Sequence, residues 1–242
     1  RFVSAARSEV AVVGDIDAVA VREALERHLS SWTKPEPFER IATPLLKDSP
    51  IRMQLSTPDK QNAAMTIALA LPLNDRHPDY AAFMMANHLF GSGGNSRLWN
   101  RIREKEGLSY NVYSTVQWNP IEENSQWMAA AIFAPQNRAK VEKAFKEEVN
   151  KAIEQGFTQA EFDAGKKGLL SFRRLARAQD NRLAASWASN LYLNRTFAES
   201  ARVDAALEAL TLDQVNSALR RYLHPDQFVM GVAGDFKEEA RP

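Results

Sequence analysis

Apolar and polar positions change period several times along this chain, and each change marks an element. Glu9 to Val13 is a short apolar run ending in Gly14-Asp15, which predicts a strand and a turn. Asp17 is placed to cap a helix whose apolar face recurs at spacings of three and four: Val21, Ala24, Leu25, His28, Leu29 and Trp32. Over 33–50 the period dissolves among Pro35, Pro37, Pro44 and Pro50, a proline density that no helix survives, so this reads as a linker. Ile51, Met53 and Leu55 alternate with polar residues as a half-buried strand. Ala63 to Leu73 predicts a longer strand, with Met65, Ile67, Leu69 and Leu71 on one face. His77-Pro78 opens a helix with the stripe Ala81, Met84, Met85, His88 and Leu89. After the glycine-rich stretch 91–94 comes a short basic helix, broken by Gly107. Tyr110 to Trp118 and Ser125 to Phe133 then alternate around polar residues 119–124, which predicts an antiparallel hairpin.

The rest reads as helices. Val141, Ala144, Phe145, Val149, Ala152 and Ile153 share one face, and Gly156 closes that helix. Thr158 with Glu161 forms a capping box for the next, which continues through Phe162, Gly165, Leu169 and Phe172. Asp180 is placed to cap a helix buried through Leu183, Trp187 and Leu191. Thr196 with Glu199, and Thr211 with Gln214, mark two further starts. Phe228 to Val232 is a last strand before Gly234-Asp235.

Val12-Val13-Gly14-Asp15-Ile16 is echoed by Val232-Ala233-Gly234-Asp235-Phe236, as though a module ends at each. Residues 1–32 are then expected to be the last strand and helix of a preceding homologous domain. Residues 33–50 are its linker and 51–242 a second domain. The opening at Arg1 reads as a cut from a longer polypeptide. Paired strands and runs of helices predict an α+β fold, an antiparallel sheet with helices packed on one face.

Charge and composition remove several functions. Lysine plus arginine number 31 against 30 acidic residues, so no net field points to nucleic acid or an anionic membrane. Without cysteine there is no thiolate metal site and no cysteine nucleophile. No apolar run reaches the roughly 18 residues of a membrane span. His28, His77, His88 and His224 form neither H-E-x-x-H nor H-x-x-E-H, so no metal ligands are assigned. His77 is expected at a helix start and His88 at the core edge. Gly91-Ser92-Gly93-Gly94 lacks the Gly-Lys-Ser/Thr of a phosphate loop and follows a helix, not a strand; a turn allowing close backbone approach fits better. Arg173, Arg174, Arg177 and Arg182 read as a solvated helix face. Arg103 and Tyr110 stand seven apart across a helix–turn–strand return. Two convergent donors suit a carbonyl oxygen or the oxyanion formed in acyl transfer, although a surface salt bridge and a core tyrosine satisfy the same spacing.

The twenty residues 91–110, GSGGNSRLWNRIREKEGLSY, resemble the signature of the C-terminal half of the pitrilysin/insulinase-type zinc metallopeptidases (inverzincins). That signature has a glycine-rich loop, Ser-Arg-Leu, then Leu/Ile-Arg-Glu-Lys-x-Gly-Leu-x-Tyr. Val12 to Asp17, the helix after it and the proline-rich linker fit the same family. The resemblance implies a metallopeptidase αβ-roll of the LuxS/mitochondrial-processing-peptidase type. It also implies two homologous halves closing around a peptide substrate. Zinc would be held by H-x-x-E-H and a distal glutamate in an N-terminal half outside this chain, leaving this fragment without metal and inactive alone. Arg103 and Tyr110 match the arginine and tyrosine that this half supplies to substrate and transition state. Gly91, Gly93, Gly94 and Asn95 would border the substrate. The expected partners are the zinc-binding half, in the same chain or another, and a peptide or unfolded polypeptide. The expected compartment is the periplasm, with the cytoplasm as alternative. The competing reading from another class is a non-catalytic assembly or scaffold subunit of the same fold; a zinc-independent peptide-binding module is a third.

Overall fold

Strict alternation over 63–71 is what centres the sheet. The computed structural model describes residues 3–33, 36–46 and 49–236, so Arg1 and parts of the expected linker, including Pro35, lie outside the described residues. Strands β1 (Arg52–Ser56), β2 (Ala63–Leu71), β3 (Ser109–Gln117), β4 (Ser125–Phe133) and β5 (Val229–Gly234) form one sheet in the order β1-β5-β2-β4-β3. β2 pairs antiparallel with both β4 and β5, and β3 pairs antiparallel with β4. The sheet is antiparallel as expected except for the β1–β5 pair, which is parallel. A parallel pair needs a crossover, and here almost the whole unit intervenes between the two strands.

Helices α1 (Ala18–Leu29), α2 (Tyr80–Asn87), α3 (Arg138–Gln155), α4 (Gln159–Ala176), α5 (Asp180–Tyr192), α6 (Ala198–Ala209) and α7 (Leu212–Tyr222) complete the chain. The described residues cluster into two compact units, one lying within 1–42 and 170–205 and the other within 43–169 and 206–242.

In the second unit one face of the sheet is core. Met65, Ile67, Leu69 and Leu71 are all buried, as their alternation requires. Phe90, Trp127, Phe145 and Phe228 interlock there, with Trp127 and Phe228 stacked at 5.5 Å. α2 is buried almost all round, so its stripe is wider than the pattern shows. It starts at Tyr80 rather than at His77-Pro78; His77 instead accepts from the backbone of Asp79 through Nδ1 at 3.0 Å. α7 packs on α2, and its Tyr222 and Arg221 both donate to Asp79. Gly156 closes α3 at φ 71°, where Asn216 of α7 accepts from the next amide at 2.7 Å. The capping boxes at Thr158 and Thr211 both form.

The other face of the sheet carries no charged side chain. By register it presents Met53 and Leu55 from β1, then Gly231 and Ala233 from β5. Ala64, Thr66, Ala68 and Ala70 follow from β2, then Met128, Ala130 and Ile132 from β4 and Tyr113 and Thr115 from β3. β1 is exposed throughout rather than half-buried, because it is an edge strand with this open face on one side.

The first unit departs further from its pattern. Residues 9–13 belong to no strand, and Val10 and Val12 are exposed. An apolar segment becomes a strand only when a neighbour takes up its backbone groups, and none does so among the described residues. Asp17 does cap α1, accepting from Val19 and Ala20. Asp180 does not cap α5: the N-cap is Gln179, without a side-chain bond. The stripe of α5 is not buried either, Trp187 being 41% and Leu191 50% exposed. Arg173 and Arg177 are not a free solvated face, since both pair with Asp204 of α6, at 2.5 and 2.7 Å.

Candidate functional site

The site is assembled where α2 ends, the glycine stretch turns, and β3 begins. α2 runs on into a wide π-type turn over His88–Ser92. A Cβ on Gly91 would stand 2.7 Å from the backbone nitrogen of Ser114, so this glycine is what lets the end of α2 lie against β3. Beneath it, Asn87 Oδ1 accepts from Ser114 Oγ at 2.7 Å and from Trp127 Nε1 at 2.8 Å. Gly93 donates to the carbonyl of His88 at 2.9 Å, and a Cβ there would meet that same oxygen at 2.9 Å and the His88 ring at 3.0 Å. Burial pushes the His88 pKa below its usual value. Packing thus accounts for Gly91 and Gly93. Gly94 has open space around its Cα, and Asn95 is exposed, held only through its carbonyl, which accepts from Asn100.

The basic helix that follows is anchored at its start by Arg97, which the sequence pattern did not single out. Its guanidinium donates twice to Glu161 (2.7 and 2.9 Å), once to the carbonyl of Gly156 (2.7 Å), and lies 4.7 Å from the centroid of Phe157. Burial pushes the Glu161 carboxyl upward, but hydrogen bonds from Arg97 and Thr158 and the Arg97 charge outweigh it and hold the pKa at about 2. The only signal for this in the sequence was the Ser-Arg-Leu triplet itself; Glu161 was already explained by its capping box. One turn on, Arg101 pairs with Glu106 and, at 2.8 Å, with Glu147 of α3. Leu98 and Ile102 face the core and are fully buried.

Residues Trp99–Lys105 form a π-helix, and it ends at Gly107, whose φ of 60° a glycine adopts freely. Leu108 donates back to the carbonyl of Ile102 at 2.9 Å. The chain then enters β3 through a bulge: Ser109 pairs with Phe133 and Asn111 with Ile132, leaving Tyr110 as the extra residue. A bulge re-aims the residue it frees, and Tyr110 is 81% exposed. Arg103 meets it there. Its Nη1 donates to the Tyr110 carbonyl at 2.9 Å, and its guanidinium lies 5.1 Å from the Tyr110 ring centroid and 4.1 Å from that of Trp99. Glu104 is 3.7 Å from Arg103 Nε.

The structure therefore brings Arg103 and Tyr110 together as one stacked unit at the sheet edge. The expected convergence of two donors takes a particular form: one guanidinium N–H positions the tyrosine backbone, and the exposed phenol projects from the bulge. What this arrangement can do is donate hydrogen bonds to an acceptor brought alongside β3. Among the described residues no three His, Cys, Asp or Glu side chains gather as a possible metal site, and His88 is packed against Gly93. No helix among the described residues is long and apolar enough to cross a membrane.

Comparison with known proteins matches residues 1–169 to the model of the peptidase M16 inactive domain. A curated relative, the non-peptidase homolog YmxG of Helicobacter pylori, is 22% identical over 183 residues, covering 75% of this chain and 41% of that protein. The solved peptidase M16 inactive domain from Pseudomonas fluorescens shares the fold, with a TM-score of 0.77 at 22% identity over 95% of this chain and 53% of that one. The periplasmic protease PqqL of Escherichia coli does so with a TM-score of 0.66 at 19% identity, over 91% of this chain and 24% of PqqL. The chain spans about half the length or less of these relatives. With the model matching well over half of its residues, this chain belongs to the peptidase M16 inactive-domain family.

Proposed function

We propose that this chain is the substrate-contacting, non-zinc half of a zinc endopeptidase that cleaves peptides or unfolded polypeptides in a closed chamber. The observation that carries the reading is the Arg103–Tyr110 unit, lifted out of the sheet by the bulge and fixed by a 2.9 Å hydrogen bond. A fold that needed these residues only for packing would not leave the tyrosine 81% exposed. On this reading an N-terminal half, in the same polypeptide or a partner, would hold the zinc. Bound zinc would supply the nucleophile. Arg103 and Tyr110 would hold the substrate carbonyl and take up the negative charge that grows on its oxygen. The uncharged sheet face, continuous from Met53 to Tyr113, suits a chamber wall that accepts extended chains without selecting a charge. Gly94 and Asn95 would border the substrate, while Gly91 and Gly93 hold the loop. Residues 1–32 belong on this reading to the domain before it, 33–50 join the two, and the assembled enzyme works in the periplasm.

The test is turnover by the assembly containing both halves. Arg103→Ala and Tyr110→Phe should each lower kcat by roughly 10- to 1,000-fold with a smaller change in KM, because the donors act mainly in the transition state. Wild-type turnover in both variants removes the assignment. One finding favours a second reading, a non-catalytic assembly subunit: the curated relative is named a non-peptidase homolog. On that reading both variants assemble and the complex shows no loss attributable to either.

A further inference from the structure

The sheet has a second edge, and it is shaped to take another strand. β1 pairs only with β5 among the described residues. Met230 donates to the carbonyl of Ile51 at 2.8 Å and Thr57 to that of Gly234 at 2.9 Å. In a parallel ladder these bonds turn the odd-numbered residues of β1 inward, so the N–H and C=O groups of Arg52, Gln54 and Ser56 point away from the sheet. β1 has no proline and no bulge, and its one charged side chain, Arg52, is drawn aside into an ion pair with Glu142.

The two sides of the edge differ in chemistry. On the open face stand Met53, 57% exposed, and Leu55, 63% exposed. On the helical side Arg52 and Gln54 face α3, where Arg138 donates to Gln54 at 2.8 Å. Two clefts flank β1 there, of about 880 and 610 Å³, and they share Arg52, Ala139 and Glu142. Together they are lined by five cationic side chains, Arg52, Lys60, Arg138, Lys143 and Lys146. Glu142 is already paired with both Arg52 and Arg138, and Glu147 stands 3.9 Å from Lys143, which leaves Lys60 and Lys146 without an ion pair among the described residues.

We infer that the free edge of β1 binds an extended peptide segment carrying acidic side chains at alternate positions and apolar ones between. Added as a sixth strand, it hydrogen-bonds to Arg52, Gln54 and Ser56 through its backbone. Its side chains then alternate between the two faces. One set lies over Met53 and Leu55; the other enters the basic clefts, where carboxylates meet the unopposed cations. This edge lies across the sheet from β3, and the inference does not depend on the catalytic reading of Arg103 and Tyr110.

The experiment is calorimetric titration of the chain with a blocked seven-residue peptide alternating valine and glutamate. Two control peptides accompany it, one with lysine for glutamate and one N-methylated at alternate amides. Both controls should bind about tenfold more weakly or worse, the first through charge and the second through lost backbone pairing. Gln54→Pro removes an outward N–H without touching the bonds to β5 and should weaken binding by a similar factor. Lys60→Glu, on the surface, should weaken it several-fold with no change in melting temperature, and serves if the proline variant does not fold. Equal affinity for the three peptides, or none tighter than about 1 mM, overturns the proposal. A concentration-dependent dimer that Gln54→Pro abolishes also overturns it, in favour of a second copy on the same edge.

Discussion

Replacing Glu161 by glutamine tests whether Arg97 anchors the helix that carries Arg103. The substitution keeps the capping box, since a glutamine at this position serves Thr158 as well as a glutamate does. What it removes is the charge opposite Arg97, whose side chain is only 10% exposed. The Glu161 carboxyl is held at about 2 against an ordinary 4.5. A displacement of that size corresponds to roughly 3 kcal/mol of differential stabilisation. Glu161 is 34% exposed, so solvent screening reduces it to ~1–2 kcal/mol. The near-buried guanidinium left without its counter-charge brings the expected loss to about 2 kcal/mol. The sign with pH follows from the depressed carboxyl. The stabilisation is complete above the unfolded value of 4.5 and disappears as pH falls through the folded value of about 2, with somewhat less than half remaining near pH ~3. Urea unfolding followed by tryptophan fluorescence, at pH 7 and near pH 3, measures both quantities. A gap below ~0.5 kcal/mol at pH 7, or an undiminished gap in acid, would refute the anchoring role.

Other consequences are more local. Gly91→Ala places a methyl 2.7 Å from the Ser114 nitrogen and should cost about 3 kcal/mol or prevent folding, whereas Gly94→Ala, in open space, should melt within a degree or so of wild type; equal melting temperatures would show that the approach of α2 to β3 is not what requires Gly91. Asn87→Leu strands the hydroxyl of Ser114 and the indole N–H of Trp127, and should cost about 2–3 kcal/mol with a shift in Trp127 emission; unchanged stability would sink the claim that this amide ties α2 to the sheet. For His88, burial depresses the folded pKa, so the native state resists protonation and loses stability as pH falls below about 6.5 towards that lowered value. His88→Gln should therefore lose less melting temperature than wild type between pH 7 and 5, and parallel losses would count against a buried neutral imidazole.

Local rules determined much of this protein in advance. Alternation over 63–73, 110–118 and 125–133 needed only side-chain period, and strands form there with ends within two residues of the pattern, at 63–71, 109–117 and 125–133. The capping boxes at Thr158 and Thr211, and the closing glycines 107 and 156, are equally local, because one side chain or one φ angle decides each. The spacing of Arg103 and Tyr110 allowed them to meet, but a surface salt bridge and a core tyrosine fitted it as well, so the contact itself came from the fold. Tertiary structure decided the rest. The run 9–13 and the stripe of α5 have apolar patterns that a core could use, yet burial depends on what lies opposite, and no pattern within a segment contains its partner. The parallel placement of β1 beside β5 joins residues almost 180 apart, beyond the reach of any periodicity. The bulge that turns Tyr110 outward exists only because β4 offers one residue fewer than β3 at that point. The same holds for Gly91 and Gly93. Their spacing announced a turn, but the reason for each glycine is an atom from another segment, Ser114 for one and His88 for the other.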